Sequence, residues 1–150
     1  MIAAGARAPE FSLPDHDGNQ VGLSDFADRK LVLAFYPLDF SPVCTDQLSL
    51  YQEVLGEIEA RGASLVGISV DSSYCHHAFR KQLNLTMPLL ADFNPKGQVS
   101  RAYGAWIDVV DHGNRSLVLI DGEGTVRWAH ASPTPLEIPG ANLIFDALSG

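Results

Sequence analysis

One cysteine stands in the run Pro37-Leu38-Asp39-Phe40-Ser41-Pro42-Val43-Cys44, after an apolar segment that stops at Pro37 and before a helical pattern, Asp46 to Arg61. A thiol placed there faces the unpaired N–H groups and the positive dipole end of a helix start. Such a setting lowers a cysteine pKa from about 8.5 to roughly 3.5–7.5, and the thiolate is the nucleophile. The chemistry on offer is attack on an electrophile. Ser41, three residues earlier, carries a hydroxyl that both accepts and donates, and the same hydroxyl suits a helix cap. Pro37 lacks an N–H and fixes φ, so it ends the strand. A second cysteine, Cys75, is followed by His76 and His77. Adjacent helix residues fan out by about 100° each, whereas helical metal ligands want i, i+4 spacing. The run therefore argues against a metal, and the histidines read as surface or interface groups.

The elements that must position these residues are legible from pattern. Phe11–Leu13 and Gln20–Leu23 flank Asp15-His16-Asp17-Gly18-Asn19, a hairpin turn. Ser24-Asp25 starts a short helical turn. Leu31–Tyr36 and Leu65–Val70 are apolar throughout, as buried central strands are. Between them Leu48, Tyr51, Leu55 and Ile58 repeat at helical spacing up to a stop at Gly62. Asp71-Ser72-Ser73 caps a helix over Tyr74–Leu83. A short strand (Pro88–Ala91), a helix (Asn94–Tyr103), a hairpin around Asp121-Gly122-Glu123-Gly124 and a last helix (Ala141–Leu148) follow. The order predicts one α/β domain over residues 1–150, with parallel crossovers, one antiparallel hairpin, and helices on both faces of a mixed sheet. Cys44 would lie at the carboxyl end of a central strand, where open α/β sheets hold ligands.

Formal charge is −8, which argues against a nucleic-acid partner. No apolar run approaches a membrane span. Met1–Pro9 has no apolar signal-peptide core, so a reducing cytoplasm is expected, where two cysteines are more often reactive than structural.

Pro37-x-x-x-Ser41-x-x-Cys44 resembles the peroxiredoxin motif Pro-x-x-x-(Thr/Ser)-x-x-Cys. Ala8-Pro9-Glu10-Phe11-Ser12-Leu13, Ser69-Val70-Asp71-Ser72, Pro88–Phe93, Tyr103-Gly104 and Arg115–Asp121 match further blocks of that family in order. The short tail and Phe40–Thr45 are most similar to its alkyl hydroperoxide reductase E and bacterioferritin-comigratory (Q-type) branches. The resemblance implies a thioredoxin fold with an N-terminal extension, and a cofactor-free thiol peroxidase acting on H2O2 and organic hydroperoxides. It implies that Cys44 is the peroxidatic cysteine, Ser41 its hydroxyl partner and Pro37 its shield. Arg115, by pattern alone a solvated strand-end residue, would be the cation beside the sulfur. Gln47 stands where relatives often carry Glu, so a hydrogen bond to the arginine is kept and a charge is lost.

Cys75 has three readings: a resolving cysteine reduced by a thioredoxin-like protein, a non-catalytic thiol, or half of a structural disulfide. Without it, a low-molecular-weight or protein thiol recycles Cys44 directly. Leu38, Phe40, Tyr103 and Trp106 are candidates for an apolar collar or a homodimer contact. The competing functions are a peroxide-sensing relay that passes oxidation to a partner, and a disulfide reductase, which the missing Cys-x-x-Cys disfavours.

Overall fold

Asp15 closes the first hairpin: its Oδ1 accepts from the N–H groups of Asp17 and Asn19 at 2.9 and 3.0 Å. The turn joins β1 (Ser12–Pro14) to β2 (Gln20–Gly22), antiparallel as predicted. The computed structural model describes all of residues 1–150.

Beyond a turn of 3-10 helix at Leu23–Phe26, β3 (Lys30–Phe35) runs into the interior and is followed by two helices, α1 (Pro42–Glu53) and α2 (Leu55–Ala60). The sequence predicts one helix here, Asp46 to Arg61. It starts earlier because Pro42 sits at the first helical position, where its missing N–H costs nothing. It breaks at Val54 (φ −106°, ψ 5°), whose N–H turns back to Tyr51 O at 3.2 Å. The apolar spacing runs on across the break, so periodicity alone does not reveal it. Strand β4 (Ala63–Ser69), helix α3 (Ser73–Leu83) and strand β5 (Leu89–Ala91) follow, with Ser72 Oγ accepting from Cys75 N–H at 3.2 Å as the expected cap.

Helix α4 (Gln98–Ala102) is shorter than the predicted Asn94–Tyr103. Gly97, at φ +74°, occupies its N-cap, and a Cβ there would come within 2.3 Å of the Trp106 ring. The buried carboxylate of Asp92 takes the helix-start donors, accepting from Val99 and Ser100 N–H at 3.1 and 2.9 Å. A two-residue ribbon that the pattern does not announce, β6 (Trp106–Ile107) with β7 (His112–Gly113), comes next. Then β8 (Ser116–Ile120), β9 (Val126–Ala131) and α5 (Ala141–Ser149) complete the chain.

The five-stranded sheet has the order β5-β4-β3-β8-β9. β3 pairs with β4 and β4 with β5 in parallel, while β8 and β9 run antiparallel. Strand alternation sends Val32, Ala34 and Tyr36 to one face, where Leu48, Tyr51, Ile58, Phe79 and Ile144 of four helices cover them. Leu31, Leu33 and Phe35 go to the other, against Phe11, Leu13, Val99 and Tyr103 of the first hairpin and α4. The mixed sheet flanked by helices is the expected architecture. No helix is long and apolar enough to cross a membrane.

Candidate active site

Cys44 is the third residue of α1 and is fully buried, packed in the cluster that contains Tyr36, Leu48, Tyr51 and Phe79. Ser41 is the N-cap by backbone (φ −66°, ψ 145°), but its side chain caps nothing. Its Oγ donates instead to Leu38 O at 2.9 Å, leaving its lone pairs to accept from elsewhere. The N–H groups of Val43 and Cys44, at the second and third helical positions, have no carbonyl one turn earlier inside the helix. A buried sulfur and uncapped donors thus share one helix start. Pro37 is buried at the end of β3.

Arg115 immediately precedes β8. Because Ser116 pairs with Phe35, the antiparallel register brings this strand entrance beside the strand exit that leads to Cys44. The solvated arginine of the sequence pattern is in fact 2% exposed. Its Nε donates to Pro135 O at 2.8 Å, and one terminal nitrogen donates to Gln47 Oε1. Gln47 is also fully buried. Residues three apart on a helix are neighbours, with Cβ atoms about 5–6 Å apart. Gln47 and Cys44 therefore share a face, and the guanidinium bonds a side chain that stands one helical turn from Cys44. Every ion pair of the molecule involves other residues, so Arg115 carries its charge into the interior without a carboxylate. Gln47 Nε2 continues the chain to Tyr51 Oη at 3.1 Å, and Tyr51 donates to Pro139 O at 2.6 Å.

The loop that carries Pro37 to Ser41 is pinned by a residue that sequence reasoning passes over. Asp39 accepts from Tyr36 Oη at 2.6 Å, faces His76 Nδ1 at 2.6 Å, and sends its backbone N–H to Asp71 Oδ2 at 2.7 Å. His76 Nε2 donates to Leu90 O at 3.0 Å, since a carbonyl only accepts. The expectation that both histidines are surface or interface groups is thus corrected for His76, which is fully buried inside the chain. Its ring points inward because α3 packs against β5, whereas His77 stays exposed near Asp17. Cys75, His76 and His77 accordingly do not converge. An acid in a Pro-x-Asp-x-Ser loop looks solvated; only the apolar Tyr36 and the helical phase of His76 hint otherwise. Phe40 adopts φ +66°, a strained region for a bulky residue, and rests its ring 5.0 Å from Phe79. Asp39→Ala strips the buried Tyr36 hydroxyl and His76 ring of their hydrogen-bond partner and should lower unfolding free energy by about 1–3 kcal/mol for each group left unsatisfied, read from urea denaturation.

Cys75 is half-buried and unbridged, and Cys44 is likewise a free thiol. The Cys75 Sγ lies 3.8 Å from Asp71 Oδ1. Burial, then the charges of Asp39 and Asp71, push its thiol up to about 12. Asp39, Asp71 and Cys75 bring ligand atoms within 4.8 Å of one another. The protein's own donors already occupy them: Asp71 Oδ2 accepts from Ser69 Oγ at 2.6 Å as well as from Asp39.

The expected collar divides. Leu38 and Phe40 are exposed on the loop before Cys44. Tyr103 is buried under the opposite face of the sheet and donates to Pro9 O at 2.7 Å. Trp106 stacks against the Arg101 guanidinium, 4.2 Å from ring centre. Phe40 packs on Phe79 of α3 and Trp106 on Arg101 of α4, helices that cover opposite faces of the sheet, which spacing along the chain does not reveal.

The sequence profile of the AhpC/TSA family matches residues 4–129. Alkyl hydroperoxide reductase E of Mycobacterium tuberculosis is 34% identical over 150 residues, covering 99% of this chain and 97% of that protein. Thioredoxin peroxidase of Echinococcus granulosus is 34% identical over 142 residues, 88% of this chain and 72% of that one. Among solved structures, the reduced 2-Cys peroxiredoxin of Plasmodium vivax superposes with a TM-score of 0.89 at 27% identity, over 99% of this chain and 81% of that one.

Proposed function

The chain belongs to the AhpC/TSA family and is a peroxiredoxin, a thiol peroxidase, and from that premise we propose that Cys44 is its peroxidatic nucleophile. The observation that carries this is charge balance. A buried cation without a partner is costly, and Arg115 is held only by the neutral oxygens of Gln47 and Pro135. The thiolate of Cys44, one helical turn from the Gln47 that holds Arg115, is the anion that completes the site.

The Cys44 thiolate attacks one oxygen of the hydroperoxide. The S–O bond forms as the O–O bond breaks, hydroxide or alkoxide leaves, and Cys44 becomes a sulfenic acid. Charge builds on the departing oxygen, so fixed donors lower the barrier. Arg115 and the N–H groups of Val43 and Cys44 are those donors, while the Ser41 hydroxyl, its proton given to Leu38 O, accepts from the hydroperoxide O–H. Pro37 closes the side of the thiol toward β3 against water. Leu38 and Phe40, 40% and 44% exposed, offer an apolar mouth that suits alkyl hydroperoxides besides H2O2; the name of the mycobacterial relative supports that substrate class.

Recycling falls to an external thiol, either a thioredoxin-like protein, as the name of the Echinococcus relative supports, or a small thiol. Cys75 would attack a sulfenic acid as thiolate, and it is held protonated by burial and by two carboxylates. Residues 1–150 act as one domain in the cytoplasm, where both thiols stay reduced. They act as a homodimer, for which the exposed Leu38, Phe40 and Tyr74 beside the site supply apolar surface.

The test is one equivalent of H2O2 on the reduced protein, followed by peptide mass spectrometry. One added oxygen on Cys44 with Cys75 free is expected. A linked Cys44–Cys75 peptide would make Cys75 the resolving thiol, and oxygen on Cys75 alone would unseat Cys44. In the same samples at pH 8, iodoacetamide should label Cys75 roughly 1,000-fold more slowly than an ordinary exposed thiol, since its raised pKa leaves few thiolates.

A further inference from the structure

Gln47 can lie in only one orientation. A guanidinium donates and never accepts, so the oxygen of the amide must face Arg115 and its nitrogen must face Tyr51. Tyr51 Oη then accepts from Gln47 Nε2 at 3.1 Å, and its single proton goes to Pro139 O at 2.6 Å. The Tyr51 hydroxyl stays protonated, pushed up to about 12 by burial. Each step in Arg115, Gln47, Tyr51 and Pro139 is fixed by the donor inventory of its neighbour.

The same chain grips a strap. Pro135 O takes the Nε of Arg115, Pro139 O takes the hydroxyl of Tyr51, and Ser132 N–H returns to Arg115 O at 2.9 Å. The strap, Ser132 to Gly140, contains no helix or strand. Its course over Arg115 is set by these bonds and by three prolines, Pro133, Pro135 and Pro139, which limit φ.

A carboxylate at position 47 would not fit this arrangement. Both its oxygens accept, and Tyr51 would meet two acceptors, the carboxylate and Pro139 O, with one proton. One buried acceptor would be orphaned, and the charge of Arg115 would be neutralised before it reached the sulfur.

We propose that Tyr51 is a positioning residue for the peroxidase reaction: its hydroxyl orients the Gln47 amide and ties it to the Pro135–Pro139 strap, so that Arg115 presents a full charge to Cys44. Gln47 and Tyr51 form a matched pair. This rests on Arg115 being the group that stabilises the Cys44 thiolate, and the experiment separates the two ideas.

Tyr51→Phe keeps the ring and removes the hydroxyl. The midpoint of the Cys44 alkylation curve against pH should move upward, and the second-order rate with H2O2 at pH 7 should fall about tenfold, the equivalent of one well-placed hydrogen bond. Gln47→Glu alone should slow the reaction by a similar factor. Combined with Tyr51→Phe it should cost less than the product of the two single effects, because a carboxylate at position 47 has no amide left for the Tyr51 hydroxyl to orient. Independent, multiplicative effects would overturn the pairing. A Tyr51→Phe protein with a lower urea midpoint but an unmoved alkylation curve would reduce Tyr51 to a structural role and overturn the proposal. Arg115→Ala is the control: if it too leaves the alkylation curve unmoved, the reading of Arg115 itself has failed, whatever Tyr51 does.

Discussion

Cys44→Ser is expected to abolish peroxide consumption, on the order of 10⁵-fold or more, as loss of a covalent nucleophile does elsewhere. The serine hydroxyl is nearly isosteric but does not ionise near neutral pH, so no anion forms at the helix start. The fold should survive, because the buried cluster around residue 44 loses little volume. Circular dichroism checks the fold, and H2O2 consumption in the presence of a dithiol checks the rate. A Cys44→Ser protein that still turns over peroxide would move the chemistry to another residue, with Cys75 as the first suspect.

Arg115→Ala should follow with a loss of about 10²–10³-fold, the range for removing one fixed donor from a developing oxyanion. The pH dependence divides that loss. Removing a buried cation makes the thiolate harder to form, so the alkylation curve of Cys44 shifts to higher pH. The rate deficit then shrinks as pH rises and the variant thiol ionises. What remains at high pH is the part Arg115 contributes to the departing oxygen. Arg115→Lys restores charge but not the fork that reaches Pro135 and Gln47 together, and should recover only a fraction. Stopped-flow rates at a series of pH values on either side of neutrality measure all three proteins. Equal rates in wild type and Arg115→Ala would remove the arginine from the site.

Much of this is legible in the residues themselves. Leu31–Tyr36 and Leu65–Val70 are too uniformly apolar to be anything but central strands, and Asp121–Gly124 forces the β8–β9 hairpin. Pro37, Ser41 and Cys44 are local, so their spacing suffices to bring them to one turn. Arg115 is not local. Its pattern is that of a surface strand end, and only the family blocks draw it inward. Asp39 and His76 escape sequence reasoning because a buried hydrogen-bonded pair leaves no periodic trace; each residue looks polar and solvated until its partner is known. The Val54 break is hidden because the apolar stripe ignores it. Tyr103 and Trp106 group with Phe40 on the page but not in space, because spacing along the chain says nothing about which face of a sheet a side chain meets.

The reversed strand β8 has a consequence for how this chain can change length. In a sheet of parallel strands only, every strand exit lies at one rim and every entrance at the other. Running β8 backwards delivers Arg115, an entrance residue, to the rim where β3 exits toward Cys44. The two halves of the site are therefore aligned by five paired residues of a central ladder, not by the connections that separate them in sequence. Segments such as the Asp108–Asp111 turn, where Val109 is 94% exposed, can lengthen or shorten without moving the cation relative to the thiol. A slip of one rung between β3 and β8 would turn Leu117 and Leu119 to the wrong face and unload the core in the same step. Selection against misplacing the arginine and selection against unfolding thus fall on the same hydrogen bonds.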